Sequence, residues 1–136
     1  MILVIAVGGQ MNKYKTLVYI AGPFSGNHDK NTENAILVGK LATQLGYAPV
    51  VPHTTILSGA YGNDDVKEER DNGIEITLSI LATVCNSENS ELWIISSTSG
   101  ELSKGTKLEL ELWKKLKDFN NCPSNIIIKP IEIWIK

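Results

Sequence analysis

Two patterns of apolar residues alternate along the chain. Short, nearly continuous apolar runs are typical of strands buried in a parallel sheet, and they occupy residues 16–21, 47–51, 91–97, 125–129 and 131–136. Between them, apolar residues recur every three or four positions, which predicts helices over about residues 31–45, 64–84 and 103–118. Strands that alternate with helices predict an α/β fold, a doubly wound parallel sheet of about five strands with helices on both faces.

Length and composition indicate one globular domain. The 136 residues suffice for a single core. The net charge is −2 and the basic residues form no patch, so duplex nucleic acid is not an expected partner. Cys85 and Cys122 lack metal-ligand spacing, which predicts no metal site and favours a reducing, cytoplasmic setting. No apolar run is long enough to span a membrane. Met11 leads directly into a strand, so residues 1–10 are predicted to be an N-terminal extension of a domain over residues 11–136.

The third predicted helix carries two carboxylates with different orientations. Its apolar stripe consists of Leu108, Leu112, Trp113, Leu116 and Phe119. At about 100° per residue, Glu109 points into this stripe and Glu111 points toward solvent. A buried carboxylate is costly unless it is paired or used. A second interpretation stays open, because Thr106 and Glu109 have the spacing of a capping box, in which Glu109 would only satisfy a backbone N–H.

A similar carboxylate occurs in the second predicted helix, where Asp71 falls on the apolar stripe. That stripe consists of Ile74, Leu78, Leu81 and Cys85. The spacing therefore directs a second acid toward apolar surroundings. The alternative is an ordinary ion pair with a neighbour such as Arg70.

Three segments are expected at the carboxyl ends of strands, where open parallel sheets bind ligands. They are residues 22–26, Pro52-His53 and residues 98–105. The first and third are rich in Gly and Ser, which lets backbone N–H groups approach an anion. Neither loop is a Walker motif or GxGxxG. A lone His53 after a proline is more often a capping or packing residue than a catalyst.

Several short motifs follow one another in a specific order between about residues 15 and 117. They are YIAGPFSG at residues 19–26, Asn34-Ala35, Gly46-Tyr47, Pro52-His53, Glu69-Arg70-Asp71, Glu91-Leu92-Trp93 and Ser103-x-Gly105-x-x-x-Glu109. In this order they resemble the nucleoside 2-deoxyribosyltransferase superfamily, in particular its small bacterial and phage branch. The resemblance implies a flavodoxin- or Rossmann-like sheet and cleavage or exchange of the N-glycosidic bond of 2-deoxynucleosides.

The resemblance also implies roles for individual residues. Glu109 matches the nucleophile, Asp71 the carboxylate that contacts the sugar, and Tyr19 the tyrosine that orients the nucleophile. The ligand-binding positions that follow from the loops are Gly22, Pro23, Phe24, Ser25, Gly26, His53, Arg70, Ser103 and Gly105. The expected partner is a small nucleoside or nucleotide, with no cofactor. Members of the superfamily complete their sites with a neighbouring subunit, which implies a homo-oligomer, and Ile76 and Ile80 are candidates for packing against the partner.

Two positions depart from the transferases. The transferases carry Asp where this chain has Ser103, whereas the superfamily's hydrolases of deoxynucleoside monophosphates carry Ser. A hydroxyl suits a phosphate, because a carboxylate would repel it. Trp113 replaces a smaller residue and is expected to narrow the pocket.

Two functions remain open. One is a cytoplasmic N-glycosidase or deoxyribosyltransferase of a bacterium or a phage-infected host. The other is a non-catalytic nucleotide-binding module, either a metabolic sensor or a phage sponge that sequesters a nucleotide immune signal. The presence of Tyr19, Asp71 and Glu109 together favours the enzyme, since a protein that only binds has no need of all three.

Overall fold

The computed structural model describes residues 14–55 and 66–136. In these ranges the chain forms four strands and five helices. In chain order they are β1 (Leu17–Ala21), α1 (His28–Gln44), β2 (Ala48–Val50), α2 (Pro52–Thr55), α3 (Lys67–Cys85), β3 (Glu91–Ser96), α4 (Lys104–Phe119), β4 (Ile126–Pro130) and α5 (Ile131–Trp134). The predicted extension over residues 1–10 and the predicted helix start at Asp64 or Asp65 lie outside the described residues.

The four strands form one parallel sheet in the order β2-β1-β3-β4. β1 is central and pairs with both β2 and β3, with Tyr19 opposite Val50 on one side and Leu92 on the other. The order reverses direction between β1 and β3, because the chain goes from β1 outward to β2 and then returns past β1 to β3. The predicted α/β class with a parallel sheet is confirmed.

The prediction of a fifth strand over residues 131–136 is wrong. Residues Ile131–Trp134 form the one-turn helix α5, and Pro130 is its N-cap. Proline lacks the N–H that a continuing strand would need, and its fixed φ suits the entry to a helix. The turn brings Trp134 back over the sheet, where its ring stacks on Trp93 with centroids 5.0 Å apart and its Nε1 donates to Ile94 O.

Alternate residues of the central strands face two separate cores, as the two-residue period of a strand requires. On one face, Val18 and Ile20 pack with residues of α1 and α5, among them Val38 and Trp134. On the other face, a buried core consists of Tyr19, Ala21, Leu81, Val84, Cys85, Leu92, Ile94 and Trp113. Helices therefore cover both faces, and α3 and α4 lie together on the face to which Tyr19 points.

The boundaries of α1 follow from its capping residues. The helix begins at His28, three residues earlier than predicted, because the Asn27 side chain accepts from the backbone N–H of Lys30. It ends before Gly46, whose φ of +93° is the left-handed conformation that favours glycine. Gly46 thus ends the helix and turns the chain into β2.

Replacement of Trp134 tests whether α5 seals the sheet. Trp134→Ala removes the stacking on Trp93 and the hydrogen bond to Ile94 O, so we expect the free energy of unfolding to fall by about 3–5 kcal/mol. Urea unfolding followed by far-ultraviolet circular dichroism measures the change. Ile135→Ala is the matched control, because this side chain is half exposed and its loss is expected to change stability by only about 0.5 kcal/mol. Equal effects of the two substitutions would contradict the role given to α5.

Candidate functional site

A cavity lies at the carboxyl ends of β1 and β3, where the strand order reverses. Its volume is about 570 Å³, within the range of sites for small molecules. The lining comes from the loop after β1, the first half of α3 and the start of α4: Gly22, Pro23, Phe24, Ser25, Lys67, Arg70, Asp71, Ile74, Thr77, Ser103, Lys104, Gly105, Thr106, Leu108 and Glu109. The expected position of a ligand site at the strand ends therefore coincides with a cavity.

Ser103 sets the position of α4. It is the N-cap, because its Oγ accepts from the backbone N–H of Thr106 at 3.2 Å and also donates to Thr106 Oγ1 at 2.8 Å. Thr106 is thus the third residue of the helix and not its cap. The capping-box interpretation of Glu109 is wrong, and this carboxylate needs another explanation.

The explanation is a hydrogen bond across the core to the central strand. Tyr19 is completely buried on β1, and its hydroxyl donates to Glu109 Oε2 at 2.5 Å. A second, longer contact joins the same hydroxyl to Thr77 O at 3.4 Å. Because Glu109 also lines the cavity, the bond fixes an acid at the cavity floor with one side toward the ligand space.

Burial changes the proton affinity of both partners. It raises the pKa of Glu109 from 4.5 to about 7, although the bond from Tyr19 acts in the opposite direction. Burial and the neighbouring Glu109 raise the pKa of Tyr19 well above its ordinary value. The tyrosine therefore stays protonated and donates, and Glu109 titrates near neutrality.

The orientation predicted for Asp71 is wrong. This residue lines the cavity, but its side chain is 51% exposed at the cavity mouth. Lys67, one turn earlier on α3, pairs with Asp71 Oδ2 at 2.7 Å. The ion-pair alternative is the one observed, with Lys67 rather than Arg70 as the bonded partner. Asp71 has the helical spacing of the apolar stripe. It lies, however, in the first turns of α3, where the helix extends beyond the buried core.

Three cations surround Asp71. Lys67, Arg70 and Lys104 all line the cavity, and together they lower the pKa of Asp71, Lys67 most strongly through its hydrogen bond. Among the described lining residues, three are therefore cationic and two, Asp71 and Glu109, are acidic. An anionic group suits this mouth better than a neutral or cationic one.

The loop after β1 contributes four of its five predicted ligand-binding residues. Gly22, Pro23, Phe24 and Ser25 line the cavity, and Gly26 does not. Gly22 lies so close to β3 that a Cβ there would be 3.2 Å from Ile95 Cβ. This close approach brings the loop backbone over the strand ends.

His53 is buried behind this loop and does not line the cavity. Its Nε2 donates to Pro23 O at 2.9 Å, and its ring meets Phe24 edge-on with centroids 5.8 Å apart. Burial lowers the pKa of His53, which favours the neutral ring. On another side, His28 stacks on Phe24 at 4.3 Å. The packing role for His53 is the one observed, and the two histidines hold Phe24 at the cavity wall.

The apolar stripe of α4 is narrower than predicted. Trp113 is fully buried in the core below the cavity, where its Nε1 donates to Ser124 O at 2.7 Å. It does not line the cavity, so the prediction that it narrows the pocket is wrong. Phe119 is exposed at the end of the helix, and Leu108 is partly exposed at the cavity. Glu111 is exposed, as predicted.

Sequence reasoning missed six residues of the lining. They are Lys67, Ile74, Thr77, Lys104, Thr106 and Leu108. Two of them had a usable signal, because Lys67 stands four residues before Asp71 on one helix face and Lys104 directly follows the predicted anion-binding Ser103. The others are ordinary helix residues whose place at the cavity depends on how α3 and α4 pack.

Within residues 14–55 and 66–136, no group of three or more His, Cys, Asp or Glu could hold a metal ion. No helix in the same ranges has the length and apolar character needed to cross a membrane. Ile80, considered as a contact for a second subunit, packs partly against the core of its own chain.

A family model described as a domain of unknown function, DUF7768, matches residues 16–119. No curated protein and no solved structure matches the chain. The matched range contains all of the cavity lining and stops at the end of α4.

The raised pKa of Glu109 predicts a pH-dependent cost to stability. Folding raises the pKa of Glu109 from 4.5 to about 7. The contribution of Glu109 to the free energy of unfolding is therefore fully present below pH 4.5 and is lost as pH rises through about 7. The loss approaches about 3 kcal/mol. Glu109→Gln keeps the shape and an acceptor for Tyr19 but removes the charge. We expect this variant to be more stable than the wild type at pH 8 and to differ little at pH 5.

Urea unfolding at a series of pH values measures this difference. Glu111→Gln, on the solvent side of the same helix, is the matched control and is expected to give a pH profile parallel to that of the wild type. A constant offset between Glu109→Gln and wild type across the range would contradict a buried, titrating Glu109.

Proposed function

The chain belongs to the DUF7768 family, and we propose from its site that it binds a nucleotide and cleaves or exchanges the N-glycosidic bond, with Glu109 as the nucleophile. The observation that carries the proposal is the hydrogen bond of 2.5 Å from the buried Tyr19 to Glu109 at the floor of the cavity. A partly buried carboxylate that is not a helix cap, and whose ionisation lowers the free energy of unfolding, is typical of a catalytic group. The resemblance to the deoxyribosyltransferase superfamily is part of this proposal.

In the proposed reaction, the free Glu109 oxygen attacks the anomeric carbon of the sugar. The carbon–nitrogen bond breaks, the base leaves with the electron pair and takes a proton from water, and a covalent glycosyl–enzyme ester forms. Water or a second base then displaces Glu109, which gives hydrolysis or exchange. The Tyr19 hydroxyl holds the other oxygen of Glu109 and keeps the carboxylate oriented throughout.

The mouth of the cavity supports a phosphorylated ligand. Ser103 and Gly105 stand at the N-terminus of α4, and Lys67, Arg70 and Lys104 add positive charge. Helix N-termini and cations both favour phosphate oxygens. With the 5′-phosphate at this mouth, the sugar lies between Asp71 and Glu109, where Asp71 can accept from a sugar hydroxyl.

A non-catalytic nucleotide-binding module, such as a sponge, is the second candidate, and two observations favour it. Burial raises the pKa of Glu109 to about 7, which favours the neutral carboxyl, a form that binds a ligand by hydrogen bonding but does not attack it. Asp71 is paired with Lys67, and its side chain is half exposed at the cavity. A homo-oligomer, of dimer size or higher, stays a prediction under both candidates.

The anion prediction is tested by affinity. A 2′-deoxynucleoside 5′-monophosphate is expected to bind at least about tenfold more tightly than the same nucleoside, because one charge-assisted hydrogen bond to phosphate has that effect. Isothermal titration calorimetry at low salt measures both dissociation constants. Equal affinities would contradict an anion site at Ser103, Gly105 and the loop of residues 22–26.

A pair of substitutions separates the enzyme from the binder. Glu109→Ala is expected to abolish base release and leave ligand affinity nearly intact, because the carboxylate interacts mainly with charge that develops in the transition state. Glu111→Ala, its exposed neighbour, is expected to retain activity. Chromatography of free base after incubation with a panel of deoxynucleotides gives the readout, and thermal melts exclude misfolding. A wild-type protein that binds a nucleotide tightly and returns it unchanged would leave the binding module standing.

A further inference from the structure

The buried hydroxyl of Tyr19 contacts two helices. It donates to Glu109 Oε2 on α4 at 2.5 Å, and it lies 3.4 Å from Thr77 O on α3. Thr77 is 5% exposed and lines the cavity together with Glu109. A hydroxyl on the central strand β1 thus connects the acid of one helix to a threonine of the other.

The side chain of Thr77 also acts on this hydroxyl. Burial and Glu109 raise the pKa of Tyr19, whereas a hydrogen bond from the Thr77 side chain lowers it. A bond that lowers the pKa of a phenol is one in which the partner donates to the phenolic oxygen. Thr77 Oγ1 also donates to Ile74 O at 2.8 Å, so the Thr77 hydroxyl has two acceptors within reach.

The two acceptors differ in their need for this proton. Ile74 O lies inside α3, where an interior carbonyl already accepts from the backbone N–H four residues later. It therefore loses little when the Thr77 hydroxyl turns to Tyr19. The proton of Tyr19 is used on Glu109, because a carboxylate oxygen at 2.5 Å is a better acceptor than a carbonyl oxygen at 3.4 Å. The oxygen of Tyr19 is then free to accept.

We propose that Thr77 is a positioning residue: its hydroxyl donates to the Tyr19 oxygen, which strengthens the bond from Tyr19 to Glu109 and holds the carboxylate ionised and oriented. Successive hydrogen bonds polarise one another, so a hydroxyl that accepts a bond becomes a stronger donor. The inference rests on the proposed role of Glu109, because a nucleophile must be ionised although burial opposes ionisation. Its test requires neither a ligand nor turnover.

The other charged groups of the described lining act elsewhere. Burial raises the pKa of Glu109, and the bond from Tyr19 lowers it. The described lining from the loop after β1 contains no titratable side chain, and none of the described lining comes from β3. The remaining charges come from α3 and the start of α4 and act on Asp71 at the mouth; they belong to Lys67, Arg70 and Lys104. The bond from Tyr19 is therefore the contact through which Thr77 can change the ionisation of Glu109.

The test measures the pKa of Glu109 in the full chain without ligand. Thr77→Val keeps the β-branched shape and the backbone carbonyl but removes the hydroxyl. We expect the pKa of Glu109 to rise by about half a unit, because its charge-assisted hydrogen bond loses roughly 10–30% of its strength. Nuclear magnetic resonance of carbon-13-labelled glutamate carboxyl groups over a pH series gives the value, and Glu109→Gln identifies the resonance.

Two controls separate this role from packing. Thr77→Ser retains the hydroxyl and is expected to restore the wild-type pKa of Glu109. Thr83→Val removes an exposed hydroxyl from the same helix, where Thr83 Oγ1 donates to Ser79 O at 3.1 Å, and is expected to leave that pKa unchanged. Thermal melts check folding, and Thr77→Ala carries the same expectation as Thr77→Val if the valine variant does not fold.

The outcomes separate this inference from the proposed function. A higher pKa of Glu109 in Thr77→Val that is reversed in Thr77→Ser supports it. An unchanged pKa in Thr77→Val, an equal rise in Thr77→Ser or an equal rise in Thr83→Val overturns it. If the wild type releases base, the acid limb of its pH–rate profile is expected to move to higher pH in Thr77→Val, with KM nearly unchanged. If it releases none, the proposed enzyme fails and the resonance measurement still decides the role of Thr77.

Discussion

The hydrogen bond between Tyr19 and Glu109 is the constraint on which the site depends. Tyr19 belongs to the central strand and Glu109 to α4, which packs on one face of the sheet, so the bond fixes the distance and rotation of α4 relative to β1. Ser103 determines where that helix begins, and Trp113 buries its next turn in the core. Ser103, Glu109 and Trp113 follow one another along α4. If the helix began one residue earlier or later, Glu109 would rotate away from Tyr19 by about 100°.

The site also separates its charges by depth. Partial burial raises the pKa of Glu109 to about 7, whereas the cations at the mouth are exposed and act over a short range. A ligand that carries its negative charge at one end and its reactive carbon at the other fits this division in one orientation only. Under the proposed function, this division would favour one orientation of a nucleotide.

The sequence predicted those parts that depend on local pattern. Apolar runs located β1 to β4 because burial on both faces leaves few polar positions, and helical spacing placed Glu109 inside the molecule. The pattern did not predict the end of the chain, where 131–136 has strand-like composition but Pro130 and the packing of Trp134 impose a helix. Nor did it predict the exposure of Asp71, because periodicity gives the direction of a side chain and not the depth of the core beneath it.

The packing of Trp134 on Trp93 shows that the folded sheet extends beyond the residues that the family model matches. The family match ends at residue 119, before β4 and α5, yet β4 pairs with β3 and α5 covers the face behind it. A fragment cut at the end of the match would keep every cavity residue but would leave β3, the strand that leads into the Ser103 loop, as an unpaired edge with Trp93 uncovered. Such an edge is prone to intermolecular pairing. An insoluble fragment of this kind would therefore reflect a severed sheet and give no information about the chemistry of the site.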